Sequence, residues 1–421
     1  AQAILAQAPP VRCGVPTRCF PSRCSCGPLF FSAEASLGGA PAPLEDRPQP
    51  PRAARLPAQC MPSGRETSGA LWSGLAVAVA ALAVARSCTP YFAGTCFTMQ
   101  RTPPRSPAHR EDAWPSASLC EVVRVLPESP GQRAPLDPEG GTVLVLPGNP
   151  GVPGYYGRFA RGLADELGAE VVVLGFCGHT LRPRTEPWKV FSLEDQIEHV
   201  VGYIDSVHGD GKLTIVGHSI GAYIGLEAMR RRPKTVRHVL GLTPFLENND
   251  ADPSFARLKL LALLPGPLFW PVLGTLCLAL AAVKMLPRTP RRMLASLQTR
   301  GFDPEWVDFT ADAMLQPGVF ANYAFMGRTE LRHLARRYDF TAHLGAGAGG
   351  LPEGLAGRTT LLYTDSDYWA PEALVPAARA AGVAVELREG LRHAFSTRAA
   401  SCAWVTAWAA RQLRRLRGGP A

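Results

Sequence analysis

With 421 residues, 46% of them hydrophobic, the chain has ample material for a large buried core, and one catalytic domain of about three hundred residues plus an appendage accounts for its length. Lysine and arginine give a net charge of +9, but the excess lies in residues 1–118 and in Arg411, Arg414, Arg415 and Arg417, so the stretch between them is neutral. A neutral body excludes nucleic acid as its partner, and cysteines as scattered as Cys120, Cys177, Cys277 and Cys402 exclude a disulfide framework and suit reduced thiols facing the cytosol.

Residues 1–118 are rich in Pro, Ala, Arg and Ser, lack apolar periodicity and begin without methionine. They read as a disordered or non-native N-terminal extension, with Met61 or Met99 as alternative starts. Cys24-Ser25-Cys26 is too tight for zinc spacing and no histidine is near Cys13, Cys19 or Cys60, so no metal is expected. The uncharged run Ala70 to Ala85, preceded by Arg65, has the character of a signal peptide or weak anchor and is short for a membrane span.

Residues 119–417 alternate in period. Strands are expected at Cys120–Leu126, Thr142–Leu146, Glu170–Leu174, Leu213–Val216, Val236–Leu242, Thr359–Tyr363 and Val383–Leu387, and helices at Tyr155–Leu167, Leu193–Val207 and Ala222–Arg231. Such alternation predicts an α/β fold: a mostly parallel sheet flanked by helices, with ligands at the carboxyl ends of its strands. Gly178-His179 reads as a turn with a solvated histidine.

Gly217-His218-Ser219-Ile220-Gly221 joins an apolar strand to a helix, which is the setting of a nucleophile elbow. The glycines permit a sharp turn that lifts the Ser219 hydroxyl above the sheet and puts the Ile220 amide beneath an oxyanion. A serine needs a base and an orienting acid. His393, in Leu391-Arg392-His393-Ala394-Phe395 at the head of the last helix, follows Asp365 and Asp367 in an acidic turn after a buried strand. Either aspartate suits the acid, and Asp367 is favoured because it lies deeper in the turn. The order serine, aspartate, histidine is that of the α/β-hydrolase triad. Pro147-Gly148-Asn149-Pro150-Gly151, after an early central strand, offers a second oxyanion donor; Pro150 has no N–H, which leaves the amide of Asn149.

The insertion at about 245–357 is the hydrophobic lid or cap. Its run Leu260 to Val283 carries no charge, contains Pro265, Pro267 and Pro271, and is flanked by Lys259, Lys284, Arg288, Arg291 and Arg292. The prolines disfavour one straight helix. Two short halves would form a hairpin dipping into a monolayer with the cations at phosphates, or else a buried cap over the site. Glycines from Gly345 to Gly357 read as a flexible return loop, and residues 418–421 as a tail.

These residues together resemble the lipid droplet-associated hydrolases of the α/β-hydrolase superfamily. The likeness rests on Pro147-Gly148-Asn149-Pro150-Gly151, Gln196-Ile197-Glu198-His199, Gly217-His218-Ser219-Ile220-Gly221, Asp367 with Trp369 and Pro371, and His393-Ala394-Phe395, and covers roughly residues 119 to 417. The acid turn departs from the family's Gly-x-x-Asp-Pro-Trp pattern. The resemblance implies a serine hydrolase of a lipid ester, with sterol ester as the suggested substrate, working without metal or organic cofactor. It also implies attachment to a lipid droplet or the cytosolic face of the endoplasmic reticulum through Leu260 to Val283. A second function class, a droplet surface protein that keeps the fold for binding or tethering with little turnover, rests on the altered acid turn.

Overall fold

The computed structural model describes residues 116–128, 142–181, 189–209, 211–250, 259, 264–334, 337–365, 367–416 and 418. The cysteines up to Cys60, the run Ala70 to Ala85 and nearly all of the expected extension lie outside them, as do residues 260–263.

Runs such as Thr142–Leu146 are apolar at consecutive positions because both faces of their strands are covered. Val143 and Val145 point into one core layer, Leu144 and Leu146 into the other. Seven strands form the sheet, β1 Val122–Val125, β2 Thr142–Leu146, β3 Val171–Leu174, β4 Leu213–His218, β5 Val236–Leu242, β6 Thr359–Tyr363 and β7 Ala384–Leu387, of which the edge strands β1 and β7 are only partly buried. Their spatial order is β1-β3-β2-β4-β5-β6-β7. β1 is antiparallel to β3 and every other pair is parallel.

One layer is covered by α1 Gly157–Leu167, whose Phe159 and Leu163 meet Val405 and Trp408 of the last helix, Ala399–Leu416. The other is covered by α2 Leu193–Val207 and α3 Ile220–Arg231, through Ile197, Val200, Ile204 and Ile224. A reciprocal cap starts α2: the Ser192 hydroxyl accepts from the Asp195 amide at 3.2 Å and the Asp195 carboxylate from the Ser192 amide at 2.7 Å.

Between β5 and β6 the insertion forms α4 Gly266–Lys284, α5 Arg288–Gln298, α6 Pro304–Ala313, α7 Pro317–His333 and α8 Phe340–Leu344. From Gly266 to Lys284 the run is one continuous helix, α4, unbroken at Pro267 and Pro271, while residues 260–263 of the expected first half of the hairpin lie outside the described residues. Pro265 caps it and Pro267 occupies the first turn, where no amide is needed, and only Pro271 lies inside, forfeiting one hydrogen bond. Nor is α4 a buried cap. Phe269, Leu273 and Cys277, four residues apart, seat it on Ala321 of α7, while Leu268, Val272, Leu276 and Leu278 face outward. Of the cations flanking the run, Arg288 and Arg292 pair with Asp308 and Arg291 with Asp312. The glycine segment after α8 is built of short turns, Ala348–Gly350 and Ala356–Arg358, and the Gly347 amide donates to the Leu351 carbonyl at 2.9 Å. Two more helices follow β6, α9 Val375–Ala380 and α10 Ala399–Leu416.

Candidate active site

Ser219 stands between β4 and α3 with φ 53° and ψ −123°, a conformation costing a non-glycine residue about 1–3 kcal/mol. The surroundings impose it. The Ser219 amide donates to the Leu242 carbonyl at 3.0 Å, and its carbonyl accepts from the amides of Ala222 and Phe245. A Cβ at Gly217 would strike the Gly221 carbonyl, and one at Gly221 the carbonyls of Leu146 and Pro147, so only glycine lets α3 start this close to the end of β2. Ile220, the first residue of α3, is buried, and its amide has no acceptor four residues back within the helix.

Above this turn the His393 Nε2 lies 2.9 Å from the Ser219 Oγ, and its Nδ1 lies 2.7 Å from the Asp367 Oδ2. Burial alone would raise the Asp367 carboxyl; the hydrogen bond and charge of His393 and the amides of Trp369 and Ala370 outweigh it and hold the pKa below the ordinary aspartate value. Asp365 turns elsewhere, accepting from the Gly390 amide at 2.5 Å. His393 does not head the last helix, as expected, but sits in the loop before it, ahead of the turn Phe395–Thr397.

The loop 147–151 lies directly against the elbow: a Cβ at Gly148 would come within 2.9 Å of His218 and 3.0 Å of the Ser219 Cβ. Its Gly148 amide donates to the Tyr156 hydroxyl at 2.8 Å, leaving the Asn149 amide as the next donor along the loop. The Asn149 side chain donates to the Tyr323 carbonyl at 3.1 Å and also meets Glu330 of α7, a buried carboxyl that burial pushes up to about 8 against the pull of Asn149.

His179, expected in solvent, is fully buried, its Nδ1 against the Pro150 carbonyl. The loop carrying it is fastened from α2. The Gln196 carboxamide accepts from the Cys177 amide at 2.8 Å and donates to the Cys177 carbonyl at 3.0 Å. His199, its pKa lowered to about 4 by burial, is neutral; Nε2 donates to the Gly175 carbonyl and Nδ1 accepts from the Ser116 hydroxyl. The Gln196-Ile197-Glu198-His199 motif therefore holds the backbone at 175–177, whose Phe176 amide donates to the Gly151 carbonyl of loop 147–151. Tyr156, His179 and Glu330 act through partners far away in the chain, and no local pattern marks them. Among the described residues no three His, Cys, Asp or Glu side chains gather into a metal-binding cluster.

A family model for lipid-droplet associated hydrolases matches residues 139–396. The lipid droplet-associated hydrolase of Rattus norvegicus is 28% identical over 253 residues, 54% of this chain and 70% of the relative. That of Gallus gallus is 27% identical over 299 residues, 65% of this chain and 86% of the relative. Among solved structures, a thermophilic esterase from Thermogutta terrifontis is similar over 71% of this chain and 94% of its own, with 16% identity and a TM-score of 0.46.

Proposed function

The chain belongs to the lipid-droplet associated hydrolase family, a hydrolase on the α/β-hydrolase fold, and from that premise we propose that it cleaves a lipid ester through an acyl-enzyme on Ser219. The observation that carries this reading is the unbroken line from Asp367 through His393 to the Ser219 hydroxyl at 2.7 and 2.9 Å. In the proposed reaction His393 Nε2 takes the Ser219 proton as Oγ attacks the ester carbonyl. Asp367 fixes the Nδ1–H tautomer and stabilises the imidazolium. The amides of Ile220 and Asn149 receive the oxyanion, and His393 returns the proton to the departing alcohol. Water then enters, gives its proton to His393 and releases the fatty acid, restoring Ser219.

The lid supports a lipid surface as the place of work. Of the eleven large hydrophobic side chains exposed among the described residues, eight lie between Leu268 and Leu297: Leu268, Val272, Leu276, Leu278, Met285, Met293, Leu294 and Leu297. α4 is long and apolar enough to cross a membrane, yet it docks one face on α7; a helix so held lies along a surface with its outer face in the acyl region. We assign it to a lipid droplet monolayer, in line with the names of the relatives, or to the cytosolic face of the endoplasmic reticulum. Sterol esters are the first substrates to assay, because the family resemblance suggests them.

The test is labelling with a fluorophosphonate, which reports an activated serine without a guess at substrate. Wild type is expected to label and Ser219→Ala not to label. Labelling that survives Ser219→Ala moves the nucleophile elsewhere; a wild type that never labels favours a tethering protein.

A further inference from the structure

Nothing in the triad chemistry uses Tyr156 or the residue before the nucleophile, His218, yet both are nearly sealed from solvent beside it. Their hydrogen bonds have polarities that can be deduced one from another. The His218 Nε2 lies 2.8 Å from the His393 carbonyl oxygen, which only accepts, so Nε2 carries a proton and donates. Burial lowers the His218 pKa to about 3, helped by the neighbouring His393, so the ring is neutral and its Nδ1 is an acceptor. The Tyr156 hydroxyl, 2.6 Å from Nδ1, therefore donates its proton there. Its oxygen is then free to accept the Gly148 amide at 2.8 Å. Burial raises the Tyr156 pKa far above its ordinary value, so the phenol keeps the proton this chain of donations needs. Each link runs in one direction: Gly148 N–H to Tyr156, Tyr156 O–H to His218, His218 N–H to the backbone of His393.

We propose that Tyr156 and His218 are positioning residues that lock the oxyanion loop and the base-bearing loop to each other across the nucleophile elbow. The two loops follow strands four places apart in the sheet, central β2 and edge β7, and both must sit within a few tenths of an ångström for the Ser219 oxyanion to meet its donors while His393 meets Ser219. Tyr156 spends the Gly148 amide, which sets the rotation of the next peptide, Asn149. His218 grips the peptide oxygen of His393, leaving its ring free to carry the proton. Phe395 packs edge-on against the His218 ring, with ring centroids 5.2 Å apart.

The inference rests on the serine-hydrolase reading, and its test separates the two. Fluorophosphonate kinetics are measured as a saturating rate constant for Ser219 modification and an apparent affinity for the probe, per molecule that labels. Tyr156→Phe keeps the ring and removes two links; at about 1 kcal/mol for each neutral hydrogen bond, the rate constant falls roughly ten- to thirtyfold with affinity unchanged. His218→Leu behaves alike. His218→Gln, which again offers one donor and one acceptor, recovers most of the rate lost in His218→Leu, a rescue that loss of packing alone does not predict. Wild-type rate constants in Tyr156→Phe overturn the relay while leaving the nucleophile intact, as does His218→Gln as slow as His218→Leu. A wild type that does not label at Ser219 overturns both readings.

Discussion

Asp365 and Asp367 differ by two positions and by everything that surrounds them. Asp365 is committed to the Gly390 amide at 2.5 Å, whereas Asp367 is buried against the His393 Nδ1 and held ionised by that partner and two amides. Asp367→Asn is therefore expected to lower the rate of Ser219 acylation by about 10⁴-fold, as loss of the orienting carboxylate does in serine-protease triads. Asp365→Asn keeps an acceptor oxygen for Gly390 and is expected to change the rate only slightly. Measured phosphonylation rates in the reverse order would move the acid to Asp365. The serine and the histidine were legible because each stands in a local pattern, Gly217 to Gly221 and the stretch after the last strand. The choice of aspartate was only a leaning, since two carboxylates on one side of an extended turn look alike until the chain returns at Gly390. Glu330 and Tyr156 were illegible for the same reason, as their meaning lies in Asn149 and His218, found on other elements.

Strands with both faces buried announce themselves as apolar runs, and the bounds of β2, β5 and β6 follow the residues Thr142–Leu146, Val236–Leu242 and Thr359–Tyr363 directly. The lid does not, because proline has opposite meanings by position. Pro265 and Pro267 begin α4, although the same residues in mid-helix would end it. Helical spacing also separates the two faces of α4, so membrane attachment and packing can be tested apart. Leu273 is seated on α7 and an arginine there would unseat the helix; Leu268 and Leu278 are 56% and 68% exposed. The double variant Leu268→Arg with Leu278→Arg leaves the inner face untouched. Each removed leucine costs about 1.5–3 kcal/mol of apolar burial in the lipid, and each 1.4 kcal/mol is tenfold in partition, so binding to droplets or vesicles is expected to drop by at least about a hundredfold. Fluorophosphonate labelling of Ser219 should continue in the soluble fraction. A double variant still floating with droplets would place the attachment on another part of the chain.

For the molecule as a whole, buried ionisable groups that refuse their ordinary charge tie stability to pH. His199, His218 and His238 have folded pKa values lowered by burial to about 4, 3 and 4, against 6.5 in the unfolded chain. Glu330 runs the other way, raised by burial to about 8 from 4.5. Between pH 4.5 and 6.5 the unfolded chain therefore gains protons on three histidines that the native protein declines, while the native protein holds one on Glu330 that the unfolded chain releases. The balance, up to two protons, favours the unfolded state in acid, so stability rises with pH there by at most about 3 kcal/mol per pH unit. The unfolded histidines are half protonated at pH 6.5, so their contribution is complete only near pH 7.5. Toward pH 8 Glu330 is then the main group that differs, its proton bound in the native state and released in the unfolded one, and stability declines by up to about 1.4 kcal/mol per unit. Above pH 8 the Cys277 and Cys402 thiols, raised by burial to about 11, add to the decline. Urea midpoints measured across pH 5 to 9 should thus peak near pH 7. Glu330→Gln, uncharged at every pH, should remove the decline between pH 7 and 8 and steepen the acid limb, where Glu330 otherwise offsets one of the three histidine protons. A wild-type midpoint that climbs steadily through pH 8 would show that Glu330 is ionised in the folded protein, and a flat acid limb would show that the buried histidines accept their protons in place.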